Sequence, residues 1–131
     1  MKEQEKEDKA TQTLSDLTVY MKYAKYLPDL KRKESWIELC QRNMDMHIQK
    51  FTEYDEENNI INDDFLQQIE DVYVDYVIPR KILPSMRSMH FAGKSIEISP
   101  NRIYNCAYMP INDMLCFNEA MFLLLGGTGV G

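Results

Sequence analysis

The hydrophobic pattern is helical over two stretches and changes character after Pro79. Trp36, Leu39, Cys40, Met44, His47, Ile48 and Phe51 recur at helical spacing behind Ser35, a good N-cap, and predict a first helix. Phe65, Ile69, Val72, Tyr73, Tyr76 and Val77 share one face of a second helix over 63–77, which Asn62 or Asp63 would cap and Pro79 would close. The polar stretch 55–62 between them reads as a loop. Residues 16–28 fit two patterns. Leu17, Val19, Met21 and Tyr23 alternate as in a strand, while Tyr20, Tyr23 and Tyr26 repeat every three residues as in a helical turn.

Beyond Pro79 the chain is punctuated by Pro84, Gly93 and Pro100 and predicts irregular structure. An apolar-rich segment within 101–110 predicts a strand, and Asp113 then opens a helix through Met114, Leu115, Phe117, Met121, Phe122 and Leu125. The charged, low-complexity start at 1–13 reads as disordered. The expected organisation is therefore a helical region over 14–82, followed at 83–131 by the start of an α/β domain. The chain stops on the glycine loop Gly126-Gly-Thr-Gly-Val-Gly131, as the front piece of something larger would.

Composition removes several functional classes. At 131 residues and 44% hydrophobic content the chain can build one small core. A net charge of -6, with basic residues interleaved with acids as in Lys31-Arg-Lys-Glu34, argues against a nucleic-acid surface. The sequence has neither an apolar run long enough for a membrane span nor an apolar N-terminal segment. Three scattered cysteines (Cys40, Cys106 and Cys116) do not form a disulfide framework, so the expected setting is cytoplasmic with reduced thiols.

Candidate chemistry centres on Cys106. A cysteine in a strand is usually a small buried hydrophobe, and a redox role is the sharper alternative. Cys40 and Cys116 lie on helical faces and read as packing residues. His47 and His90 stand too far from other ligand types in sequence to suggest a metal site. The glycine loop could turn backbone N–H groups toward an anion, or it could simply cap a helix. It lacks the Lys-Ser or Lys-Thr ending of a phosphate loop, and it closes a helix where dinucleotide-binding glycines open one.

Taken in order, Pro84-Ser-Met-Arg87, Asn105-Cys106, and the helix running into Gly127-Thr-Gly-Val-Gly131 resemble the start of the large catalytic chain of ribonucleotide reductases. The helix led by Glu34-Ser-Trp36 with Arg42, preceded by residues 20–28, is similar to the N-terminal region of the adenosylcobalamin-dependent, class II members. The resemblance implies a mainly α N-terminal region leading into the first strand and helix of a ten-stranded α/β barrel, incomplete here. It also implies reduction of ribonucleotides to deoxyribonucleotides by thiyl-radical chemistry, with adenosylcobalamin as cofactor through ligands outside this chain. Carried over by motif, Cys106 is one thiol of the reducing pair, and Asn105, Thr128 and Gly129 border the substrate. The implied partners are the ribonucleotide, the remainder of the reductase chain and a thioredoxin-type reductant, with no nucleic acid and no membrane. The competing expectation is a non-catalytic helical interaction module with Cys106 in its core.

Overall fold

A computed structural model describes residues 2–58 and 63–131, with side chains for 7–54 and 63–131. The architecture is mainly helical, and the described strands form two two-stranded sheets. The chain divides into two compact units, Met1–Pro84 and Ser85–Gly131.

The first unit begins with α1, Lys2–Thr18, continued by a π-helical turn, Val19–Tyr23. Disorder over 1–13 was the expectation from charge, and the structure instead has helix from Lys2. Glu, Lys, Gln and Ala are strong helix formers, and the Gln12 amide donates to Asp16 four residues on, at 3.0 Å. The ambiguity over 16–28 resolves into that π turn and a short antiparallel hairpin, β1 (Tyr26–Leu27) with β2 (Arg32–Lys33). Lys31 turns the corner with φ 50.

Helix α2, Trp36–Asn58, starts with a capping box. The Ser35 hydroxyl accepts from Glu38 N at 3.3 Å, and the Glu38 carboxylate accepts from Ser35 N at 2.7 Å. Its inward face buries Leu39, Cys40, Asn43, Met44 and Met46. Residues 55–58 of the expected polar loop continue this helix. The remainder, 59–62, lies outside the described residues, as does the capping role of Asn62.

The second predicted helix is α3, Asp63–Val72, followed by a π turn, Tyr73–Val77. Pro79 has no N–H to continue an α ladder, and just before it the wider turn carries Ile78 N to Tyr73 O at 2.8 Å. Tyr73 and Val77 are buried, whereas Phe65, Val72 and Tyr76 of the same predicted face remain exposed. Part of that face lines an apolar hollow of about 460 Å³ with His47, Ile69, Ile82 and Leu83.

Two polar devices tie this unit together. Glu34, 7% exposed, accepts from Arg42 through both carboxylate oxygens, at 2.7 and 3.0 Å, and from Lys25 N at 2.9 Å. The hairpin is thereby locked to α2, and Glu34 and Arg42 of the sequence signature prove to be one buried ion pair. Arg80, held at φ 63, places its guanidinium 4.8 Å from the Trp36 ring centre and donates to Ser15 and Asp16 at 2.9 and 2.6 Å. The Trp36 indole N–H donates to Ile78 O at 2.8 Å.

These pairs should differ sharply in weight. Arg42→Met strands the buried Glu34 charge and should cost about 3–5 kcal/mol of unit stability. Arg32→Met, which breaks an exposed 2.7 Å pair with Glu38, should change a denaturant midpoint little. The Arg32 bonds, then those from Ser35, draw the Glu38 carboxyl from 4.5 down to about 2. A carboxyl lowered on folding stabilises fully above its unfolded value and loses that contribution as pH falls through its folded one. Glu38→Gln should therefore flatten thermal stability against pH between about 4.5 and 2, the variant being less stable than wild type at neutral pH and converging with it near pH 2.

Candidate functional site

The second unit opens at Ser85, inside the motif Pro84-Ser-Met-Arg87. Pro84 disfavours helix in the residue before it, and the Ser85 hydroxyl accepts from Ser88 N at 3.1 Å as the N-cap of α4, Met86–Phe91. Arg87 is thus projected from the first turn of a helix. Irregular structure was the expectation here. The chain instead makes α4, then α5 (Lys94–Ile98), then a 3-10 turn (Pro100–Ile103) with Pro at its start.

The strand expected within 101–110 is short: β3 is Cys106–Ala107. Asp113 then accepts from Leu115 N at 2.7 Å and Cys116 N at 3.2 Å, which starts α6, Cys116–Leu125. The end of α6 is a Schellman motif. Thr128 N donates to Leu123 O and Gly127 N to Leu124 O, both at 2.9 Å, with Gly127 at φ 87. Beyond this reversal β4, Gly129–Val130, runs parallel to β3 in the register Cys106↔Gly129 and Ala107↔Val130. The unit is a small β–α–β arrangement, and β4 has no counterpart in the sequence expectation.

Several contacts fix that register. Gly129 N donates to Asn105 O at 2.9 Å and Gly131 N to Ala107 O at 3.1 Å. Thr128, 1% exposed, turns its hydroxyl inward toward Tyr104 O at 3.2 Å and Asn101 O at 3.4 Å. A Cβ at Gly126 would overlap the Asn101 side-chain amide. Arg87 donates to Gly127 O at 2.8 Å and to Arg102 O at 3.3 Å.

The structure therefore brings together Cys106, Asn105, Thr128 and Gly129, residues separated by more than twenty positions. Of the two readings of the glycine loop, an anion site or a helix cap, the structure has the cap: the N–H groups of Gly126, Gly127, Thr128, Gly129 and Gly131 all donate within the chain. They were absorbed by the cap and the strand pair, which a local sequence pattern does not display. Arg87, as the side chain joining these segments, escaped sequence reasoning because its partners lie 15 and 40 residues away.

All three cysteines are free thiols, but their settings differ. Cys40 is buried, and desolvation pushes its thiol up to about 11. Cys116 is buried and donates its S–H to Asp113 O at 2.8 Å. Cys106 is exposed, so of its two readings the buried packing residue is not what the structure has. A place in the middle of an apolar-rich strand beside aromatic residues had suggested burial, but the strand is two residues long, and exposed Tyr104 and Tyr108 flank Cys106 rather than cover it. Among the described residues no three His, Cys, Asp or Glu side chains converge as metal ligands would, and no helix is long and apolar enough to cross a membrane. Comparison with protein-family models, with characterised proteins and with solved structures finds no match to the chain.

Thiol titration should separate the cysteines. A colorimetric disulfide reagent at pH 8 should react rapidly with one thiol, and Cys106→Ser should abolish that phase. Cys40 and Cys116 should react only on denaturation. Gly127→Ala should lower the stability of this unit by about 1 kcal/mol or more, because its φ lies in the left-handed region. A fast phase that survives Cys106→Ser would refute the assignment of the exposed thiol.

Proposed function

We propose that the chain is the N-terminal part of a ribonucleotide reductase large chain, most similar to the class II enzymes. The observation that carries this reading is the convergence of its three motifs. Arg87 bonds the glycine turn, and that turn sets Gly129 beside an exposed Cys106. The β3–α6–β4 arrangement is also the kind of unit from which a parallel α/β barrel is assembled. In this reading the unit begins the ten-stranded barrel, and the first unit is the helical region that precedes it.

The reaction replaces the ribose 2′-OH with hydrogen. Two thiols give up two electrons and two protons, become a disulfide, and the oxygen leaves as water. Cys106 supplies one of those thiols. The second reducing cysteine and the radical cysteine belong to the remainder of the chain. A thiol on a paired strand is held in one place against the reacting carbon, and its exposure leaves it open to a thioredoxin-type dithiol in a cytoplasmic setting. Asn105, Thr128 and Gly129 shape the edge next to it, where the substrate sugar would lie.

Adenosylcobalamin would supply the radical that starts the cycle. The hollow in the first unit, about 460 Å³ and apolar, is small for a corrin with its nucleotide tail. The cofactor would be held by the remainder of the chain.

The test is to express the chain joined to that remainder and to assay ribonucleoside di- and triphosphates for deoxyribonucleotide formation. Cys106→Ser should abolish turnover with the biological dithiol, while Cys40→Ala and Cys116→Ala should retain most of it. Turnover that survives Cys106→Ser, or a complete protein that reduces no ribonucleotide with adenosylcobalamin or with a separate radical-generating subunit, would defeat the proposal.

A further inference from the structure

The geometry points to Arg87 as a positioning residue for the Cys106 thiol, an inference that rests on the reductase reading for its catalytic consequence. One guanidinium reaches the chain just ahead of both paired strands. It donates to Arg102 O at 3.3 Å, before β3, and to Gly127 O at 2.8 Å, before β4. Its Cζ lies 5.8 Å from the centre of the Phe91 ring on its own helix, which limits the directions the fork can take. The strand pair it braces is only two residues long on each side. So short a ladder has few bonds of its own to hold register, and side-chain braces carry more of the task.

The form of the side chain matters. A guanidinium is planar and always charged, so it can satisfy two carbonyls with separate N–H groups in a fixed geometry. A lysine ammonium can reach one of them but cannot impose the same spacing. Arg87 has no acidic partner among the described ion pairs, so its charge is directed at backbone oxygens.

Two measurements test this. In the chain itself, Arg87→Met should raise amide exchange at Gly129 and Gly131 roughly tenfold to hundredfold, the opening expected when a charge-assisted bond is lost. Exchange at Leu39 and Asn43 should not move, and Arg87→Lys should restore part of the protection. In the complete reductase, Arg87→Lys should lower kcat by about tenfold to a hundredfold, with KM for the nucleotide changed by no more than about twofold. Unchanged exchange at Gly129 and Gly131 in Arg87→Met, or a kcat equal to wild type in Arg87→Lys, would overturn the assignment. A complete protein with no reductase activity would instead remove the reductase reading, and the exchange data would still decide whether Arg87 holds the pair.

Discussion

The second unit depends on one backbone constraint, the left-handed turn at Gly127. A helix can return its chain parallel to an earlier strand only if its end reverses sharply, and φ 87 is a conformation that L side chains resist. The two hydrogen bonds of the Schellman motif close that reversal and leave Thr128 pointing into the unit. From there the register of Gly129 against Cys106 follows. The neighbouring Gly126 is constrained for a different reason, since the Asn101 amide occupies the space its Cβ would need. Adjacent glycines thus answer separate demands, one torsional and one steric.

The first unit is organised by polar contacts set into an apolar core. Glu34 is almost fully buried and depends on Arg42 and Lys25 N to satisfy its carboxylate. Arg80 adopts a left-handed backbone conformation that costs energy for a residue with a Cβ, and its side chain offsets that through Trp36, Ser15 and Asp16. These contacts join the hairpin, α1 and the end of the second helical stretch to α2. They specify which elements meet, while Leu39, Met44 and Val77 supply the apolar burial.

Local rules made some of this legible in the sequence. Ser35 capped α2 as its residue type suggested, the 63–77 periodicity marked α3 and its π turn, and Asp113 opened the last helix. Each of those signals is decided within one helical turn. The start of the chain misled because charge density reads as disorder, although the same Glu, Lys and Gln residues favour helix. The short helices α4 and α5 are too brief to build a periodic pattern between their proline and glycine boundaries. Nor could the sequence reveal the partner strand β4 or the reach of Arg87, since both are settled by contacts many residues apart. The exposure of Cys106 was hidden for a related reason: flanking tyrosines look like core until the fold turns them outward.

The single tryptophan has an optical consequence. Trp36 lies beneath the Arg80 guanidinium with its indole N–H bonded to Ile78 O, so its emission reports on the cation and carbonyl packed against it. Every one of those groups belongs to the first unit. Intrinsic fluorescence excited at the red edge, where tyrosine does not absorb, therefore reports on the surroundings of Trp36 in the helical unit. The chain thus carries a native dye in its first unit and an exposed thiol, open to labelling, in its second.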